Sequence, residues 1–283
     1  LSQVTFGDRL AAEFAAGRHL CAGIDPHAGL LADWGLANDA AGAERMGRDV
    51  VAAAAGVAAC VKPQIAFFER FGSAGFVALE RVYADAREAG VLIVTDAKRG
   101  DIGSTFAAYA DTWLAEGSPL ESDALTVSPY LGFGALSGAF DYVNSHGKGL
   151  FVLAATSNPE ARELQTAKQA DGRTLANVMI DEAIAHGAPA DTAVNSVGVV
   201  LGATLTLADF GIDVQAERGG AALPVLAPGF GHQGGRIEDA GEIFGNLGKA
   251  LLANESRSIL VGGSATLATR VRDRADAIAH ALA

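Results

Sequence analysis

Residues 91–117 read VLIVTDAKRGDIGSTFAAYADTWLAEG. An aliphatic and β-branched run, VLIVTD (91–96), meets a polar, glycine-bearing turn and then STFAAYADTWLAEG (104–117), whose apolar residues recur at helical spacing. The helical stretch closes on Gly117, a residue suited to a left-handed cap. A strand that is apolar throughout is covered on both faces, as in a parallel sheet, and strand followed by helix is the unit from which such sheets are built.

The same unit recurs in both directions along the chain. Seven more strand candidates are HLCAGID (19–25), AACVKPQ (58–64), DALTVS (123–128), GLFVLAATS (149–157), SVGVVLGAT (196–204), PVLAPG (224–229) and KALLANES (249–256). Each is expected to be followed by a helical segment. The helical candidates include ERMGRDVVAAAA (44–55), GFVALERVYADAREAG (75–90), LANVMIDEAIAHG (175–187), RIEDAGEIFGNLG (236–248) and LATRVRDRADAIAHALA (267–283). Eight repeats predict an α/β fold, a closed (β/α)8 TIM barrel, with an open doubly wound sheet as the alternative on pattern alone. TFGDRLAAEFAAG (5–17) is expected to form a helix closing one end of the barrel, and residues 158–173 an elaborated loop after the fifth strand.

At 283 residues, half of them hydrophobic, the chain suffices for one barrel domain spanning 1–283, and no linker or compositional break divides it. Lys and Arg total 21 against 33 Asp and Glu, so the net charge of −12 disfavours nucleic acid and anionic membranes as partners. An anionic ligand must then be held by local positive charge. Cys21 and Cys60 sit in apolar runs and read as buried free thiols of a reducing compartment. No segment has the length of apolar sequence that spans a bilayer, and LSQVTFGDRLAAEF lacks a signal-peptide pattern. The expectation is a soluble, cytoplasmic protein.

In a barrel of this type, functional groups project from the C-terminal strand ends, so polar residues that interrupt those ends are candidates. They are Asp25 on the first strand, Lys62 on the second, Asp96 with Lys98 on the third, Thr156 and Ser157 on the fifth, and Asn254, Ser256 and Arg257 on the eighth. Asp96 and Lys98 are two apart, so extended backbone turns both toward one side. Asp101 follows after Arg99 and Gly100. Carboxylates beside one ammonium favour its charged form, which suits a proton donor better than a Schiff-base nucleophile. On charge content alone, a salt-bridge network closing the barrel mouth is an equal reading of Lys62, Asp96, Lys98 and Asp101.

A phosphate site shifts that balance. APGFGHQGGR (227–236) supplies Pro228 and the glycines 229, 231, 234 and 235, whose amides are expected to close on an oxyanion with Gln233 as a side-chain donor. Arg257, on the next strand, has the fork geometry for phosphate, and these last two strand ends are where barrels usually hold one. A surface salt bridge is the alternative for Arg257, and a solvated loop residue is the reading kept for His232. Asp25 and His27 in GIDPH lack a third ligand nearby, and Lys62 and Lys98 would repel a cation, so no metal is expected.

CAGIDPH, VKPQIAFFERFG, DAKRGDIGST, TVSPYLG, ATSNP, APGFGHQGG and SRSI, in order from residue 21 to 259, together resemble the orotidine 5′-phosphate decarboxylases, in particular their longer bacterial subgroup. The resemblance implies decarboxylation of orotidine 5′-phosphate to UMP in pyrimidine biosynthesis, without metal or organic cofactor. It implies that Asp25 binds a ribosyl hydroxyl, that Lys62 lies near the ribose, that Asp96 faces the substrate carboxylate and that Lys98 protonates C6. It also implies a homodimer, in which Asp101, with Ile102 and Thr105, enters the partner's site. Ser157 matches a pyrimidine contact, Gln233 and Arg257 match phosphate ligands, and Pro228 and Gly234 join the substrate-binding set. The rival enzyme reading is an Mg2+-dependent sugar-phosphate decarboxylase or aldolase of the related barrel group; a non-catalytic phosphate-binding barrel is the rival outside enzymes.

Overall fold

A computed structural model of the chain describes residues 4–187 and 192–283. The strands are β1 (Leu20–Ile24), β2 (Cys60–Pro63), β3 (Leu92–Arg99), β4 (Ala124–Val127), β5 (Gly149–Ala155), β6 (Val197–Leu201), β7 (Val225–Pro228) and β8 (Leu251–Glu255). The α-helices are α1 (Phe6–Ala15), α2 (Ala28–Asp33), α3 (Ala40–Ala54), α4 (Ala66–Glu69), α5 (Gly72–Glu88) and α6 (Gly103–Leu114). They continue with α7 (Phe140–Ser145), α8 (Ala161–Gln165), α9 (Leu175–His186), α10 (Ala240–Phe244), α11 (Arg257–Leu260) and α12 (Leu267–Leu282). Each strand pairs in parallel with the next, and β8 returns to β1, which closes the predicted (β/α)8 barrel. No helix is long and apolar enough to cross a membrane, among the described residues.

Period-two alternation explains both layers of the core. Val61, Ile93, Leu125 and Val127 face outward into the main apolar cluster with the helices. Their neighbours Cys60, Leu92, Val94, Ala124 and Phe151 face inward and form a second cluster with Phe6 and Leu10 of α1. Farther along the same strands the inward positions become polar, so one alternation builds an apolar floor and a polar mouth.

The N-terminal helix closes the floor as expected. Thr5 caps α1 in a capping box with Asp8, its Oγ1 accepting the Asp8 N–H at 3.0 Å. Phe6 then lies against the start of β5, where a Cβ on Gly149 would come within 2.2 Å of its ring. Gly149 is therefore required by the plug itself. Phe6 also meets Phe151 edge-on, with ring centroids 6.1 Å apart.

Three sequence expectations need correction. The segment between β6 and β7 holds a single 3₁₀ turn, Leu207–Phe210, and no α-helix, so the helix expected after every strand is missing there. The eighth strand starts at Leu251, because Lys249 and Ala250 end a 3₁₀ turn. That turn begins at Gly245, whose φ of 48° stops α10 and breaks the helix expected over 236–248. The loop after β5 is also more structured than expected: it carries α8 and a bridge between Lys168 and Thr174.

Candidate active site

A cavity of about 300 Å3 opens at the C-terminal strand ends. The inward alternation carries Lys62 and Gln64 from β2 and its exit, Asp96 and Lys98 from β3, Thr126 from β4 and Asn254 from β8 into its wall. Asp25, Ser157, Pro228, Gln233 and Arg257 line it as well. The structure thus gathers eight of the eleven candidate residues, Lys62, Asp96, Lys98, Asp25, Ser157, Pro228, Gln233 and Arg257, and leaves Asp101, Thr105 and Gly234 out of that wall.

Asp96 is the hub. Lys62 Nζ donates to its Oδ2 at 2.8 Å, Lys98 Nζ to its Oδ1 at 2.5 Å, and Thr126 Oγ1 to the same Oδ1 at 3.0 Å. Burial alone would push the Asp96 carboxyl up, but the two ammonium groups overcome it and hold it at about 2. Burial likewise opposes the charge on Lys62, and Asp96 and Asp25 more than reverse this, raising it above its ordinary value. The pair is thus ionised although nearly dry. Lys98 differs, with its side chain 45% exposed toward the cavity.

Lys98 is the one non-glycine residue with positive φ among the described residues, at 48°. Such a backbone costs roughly 1–2 kcal/mol for an L-residue and persists only where its surroundings impose it. The cause is local: β3 and β4 shift register between Thr95 and Arg99, and the bulge falls on Lys98. Asp96 and Lys98 do share a side, as their spacing predicts, but through a bulge and not through regular extended backbone.

Asp25 Oδ1 is buried and has no hydrogen-bond partner. Leaving such an acceptor unpaired costs about 1–3 kcal/mol, and Asp25 belongs to the cavity wall. Nearby His27 is occupied otherwise, its Nδ1 capping α2 at 3.3 Å from Leu30 N. Among the described residues, no three His, Cys, Asp or Glu side chains gather where they could hold a metal ion.

The opposite wall is formed by the β7 and β8 exits. Arg257 has no carboxylate partner among the described residues, so the salt-bridge alternative is not realised. Its strand exit is anchored by buried Glu255, which accepts from Arg274 at 2.5 and 2.9 Å and from Ser258 Oγ at 2.5 Å. The glycine loop, however, is not the expected ring of free amides. Gly231 N–H donates to Gly235 O at 2.8 Å, Gly234 N–H to Gly231 O at 3.0 Å and Gly235 N–H to Gly229 O at 3.0 Å. Gly234 lies outside the cavity wall for this reason: its φ of 100° serves the tight turn and its amide is spent within it. What the turn presents to the cavity is Gln233, with exposed His232 beside it. His232 is therefore both solvated, as read from sequence, and part of the cavity rim.

Asp101 and Thr105 do not line the cavity. The Asp101 carboxylate accepts the N–H of Ile102 at 2.8 Å, and Thr105 is exposed on the first turn of α6. Gln64, Thr126 and Asn158 are cavity residues that the sequence reading passed over. Thr126 carried a usable signal: it is the polar interruption of DALTVS, and the rule applied to the other strand ends picks it out. Gln64 shares the parity of Lys62. Asn158 had no signal beyond its neighbourhood to Ser157.

A profile described as Orotidine 5′-phosphate decarboxylase / HUMPS family matches residues 18–278. The chain is 50% identical over 263 residues to an orotidine 5′-phosphate decarboxylase of Corynebacterium efficiens, covering 92% of this chain and 91% of that protein. It is 49% identical over 265 residues to one from Streptomyces coelicolor, covering 94% of this chain and 93% of the relative. Among solved structures, a Streptomyces avermitilis protein matches with a TM-score of 0.91 at 47% identity, covering 100% of this chain and 97% of that one. Leishmania donovani OMP decarboxylase matches with a TM-score of 0.74 at 29% identity, covering 98% and 99%.

Proposed function

Because the chain belongs to the orotidine 5′-phosphate decarboxylase / HUMPS family, we propose that it is a carboxy-lyase converting orotidine 5′-phosphate to UMP, with Lys98 as the proton donor. The observation that carries this reading is the Lys62–Asp96–Lys98 array, a carboxylate held by two ammonium groups at the base of a cavity. When the C6–carboxylate bond breaks, CO2 leaves and its bonding electron pair stays on C6. No adjacent group delocalises that pair. An ammonium already fixed in place stabilises it without solvent reorganisation, and the Lys98 proton then forms the C6–H bond. The resulting amine regains its proton from solvent.

Asp96 orients Lys98 through the 2.5 Å contact. Asp25, with its unpaired Oδ1, suits a ribose hydroxyl, and Ser157 and Pro228 suit the base and its surroundings. Gln233 and Arg257 suit the phosphate, and an unpaired guanidinium is what a dianion requires. Gly234 contributes as a turn residue behind Gln233.

The same reading includes a single barrel domain, a cytoplasmic location and a homodimer in which Asp101, with Ile102 and Thr105, reaches the partner's site. Support for the dimer comes from the resemblance and from exposed apolar side chains, Ile102 at 63% beside Asp101 and, in the segment after β4, Tyr130 at 76% and Leu131 at 53%. The Mg2+-dependent alternative is disfavoured by the donor set, since the central carboxylate is already neutralised by Lys62 and Lys98. The test is conversion of orotidine 5′-phosphate to UMP by purified protein, followed by chromatography with and without excess EDTA. Activity retained in EDTA is expected; no UMP would remove the assignment, and activity lost in EDTA and restored by Mg2+ would favour the alternative.

A further inference from the structure

Thr126, 1% exposed on β4, makes two hydrogen bonds with one hydroxyl. Its Oγ1 accepts the backbone N–H of Lys98 at 2.9 Å and donates to Asp96 Oδ1 at 3.0 Å. The directions are unambiguous: a backbone N–H only donates and an ionised carboxylate only accepts, so the hydroxyl proton points at Asp96. In regular extended backbone Lys98 would share the parity of Asp96, whose carbonyl faces β2, but the register shift between Thr95 and Arg99 turns the Lys98 N–H to the β4 side, where the Thr126 hydroxyl receives it.

The other face of the same peptide is held too. Arg99 Nη1 donates to Ala97 O at 3.1 Å, the carbonyl of the Ala97–Lys98 peptide. Arg99 is itself fixed by an ion pair with Glu69 and by lying over the rings of Tyr109 and Trp113. A left-handed lysine backbone is thus gripped at its N–H from inside the barrel and at the preceding carbonyl from outside.

We propose that Thr126 is the positioning residue for the proton-donating lysine: its hydroxyl holds the Ala97–Lys98 peptide in the orientation that sends Nζ into the cavity, and turns Asp96 Oδ1 toward that ammonium. The role rests on the decarboxylase reading above. Thr126 acts through Lys98 and Asp96, so its loss affects the chemical step and leaves the phosphate and ribose contacts of Arg257, Gln233 and Asp25 in place.

Thr126→Val, Thr126→Ala and Thr126→Ser are compared in steady-state kinetics on orotidine 5′-phosphate, each checked for folding by circular dichroism. The hydroxyl-free variants are expected to lose kcat by about 10–100-fold, the effect of a lysine misplaced by about 1 Å, with KM changed less than about threefold. Serine keeps the hydroxyl and is expected to restore kcat to within about threefold of wild type. A folded Val or Ala variant with wild-type kcat, a loss confined to KM, or a Ser variant as impaired as Val would each overturn the role. If Val and Ala both fail to fold while Ser folds, the hydroxyl is a folding requirement and the positioning role is equally overturned. An inactive wild type overturns the reaction and this role with it, whereas an active wild type beside an unimpaired Thr126→Val overturns the role alone.

Discussion

Lys62 Nζ lies 2.8 Å from Asp96 Oδ2, and the two side chains are only 5% and 9% exposed. Two charges so far from water cost several kcal/mol each to desolvate, and their attraction offsets this only because Lys98 and Thr126 complete the hydrogen bonding of the carboxylate. Removing one partner strands the other. Lys62→Ala is therefore expected to destabilise the protein by about 3–5 kcal/mol, read by urea unfolding. A loss below about 1 kcal/mol would mean that Asp96 is compensated without Lys62.

The pH dependence of stability follows from the same pair. The Asp96 carboxyl is lowered from 3.8 to about 2 in the fold, so the unfolded chain takes up its proton first. The associated stability, about 2 kcal/mol, is fully present above the unfolded value and is lost as pH falls through the folded one. Asp96→Asn removes this titration, although it leaves Lys62 unpaired at every pH. Between about pH 5 and pH 2 its unfolding free energy should fall less steeply than that of wild type, and parallel curves would contradict the lowered carboxyl.

Lys98 sets function against backbone comfort. Lys98→Ala and Lys98→Gly both lack the ammonium, and both should lose about 10²–10⁴-fold in kcat. They differ only in how they tolerate the left-handed φ of 48°. Glycine should be the more stable of the two by about 1 kcal/mol, against its usual disadvantage in regular structure, as measured by thermal or urea unfolding. Alanine proving the more stable would place the strain elsewhere.

Among the described residues Arg257 has no carboxylate partner, and charge-assisted hydrogen bonds are worth about 1.5–3 kcal/mol each. Arg257→Ala is expected to lower kcat/KM by at least about tenfold, with thermal stability unchanged because no internal partner is lost. Wild-type kinetics in this variant would exclude Arg257 from the site.

Asp101 supplies the test of the dimer. Lys98→Ala and Asp101→Asn proteins, each impaired alone, are mixed under conditions of subunit exchange. A shared site predicts recovered activity, since one site in each hybrid is intact. No recovery despite proven exchange would put Asp101 in its own subunit's chemistry.

Much of the site was legible because alternation is a local property. Lys62 and Asp96 each follow an apolar inward position by two residues, so the parity that buries Cys60 and Val94 also delivers these charges to the mouth, whereas Lys98 reaches it through the bulge. The glycine loop was only half legible. Composition marks a turn, but bonds within it consume the amides of Gly231, Gly234 and Gly235 that the sequence offered to a phosphate, while Gln233 lines the cavity. The helix expected over 236–248 failed because helical spacing does not register that Gly245 takes a positive φ, which depends on how the chain must re-enter the barrel as β8.

From sequence alone came the eight-fold strand and helix repeat, the α1 plug and the placement of Lys62, Asp96, Lys98 and Arg257 at strand ends, since each rests on the pattern of a short segment. Tertiary structure alone decided that Gly149 must make room for Phe6, that Lys98 is strained, and that Thr126 holds both its amide and Asp96. The physical reason is register. Which residue stands opposite a bulge is set by how two strands more than twenty residues apart slide against one another, and no residue in either strand encodes that by itself.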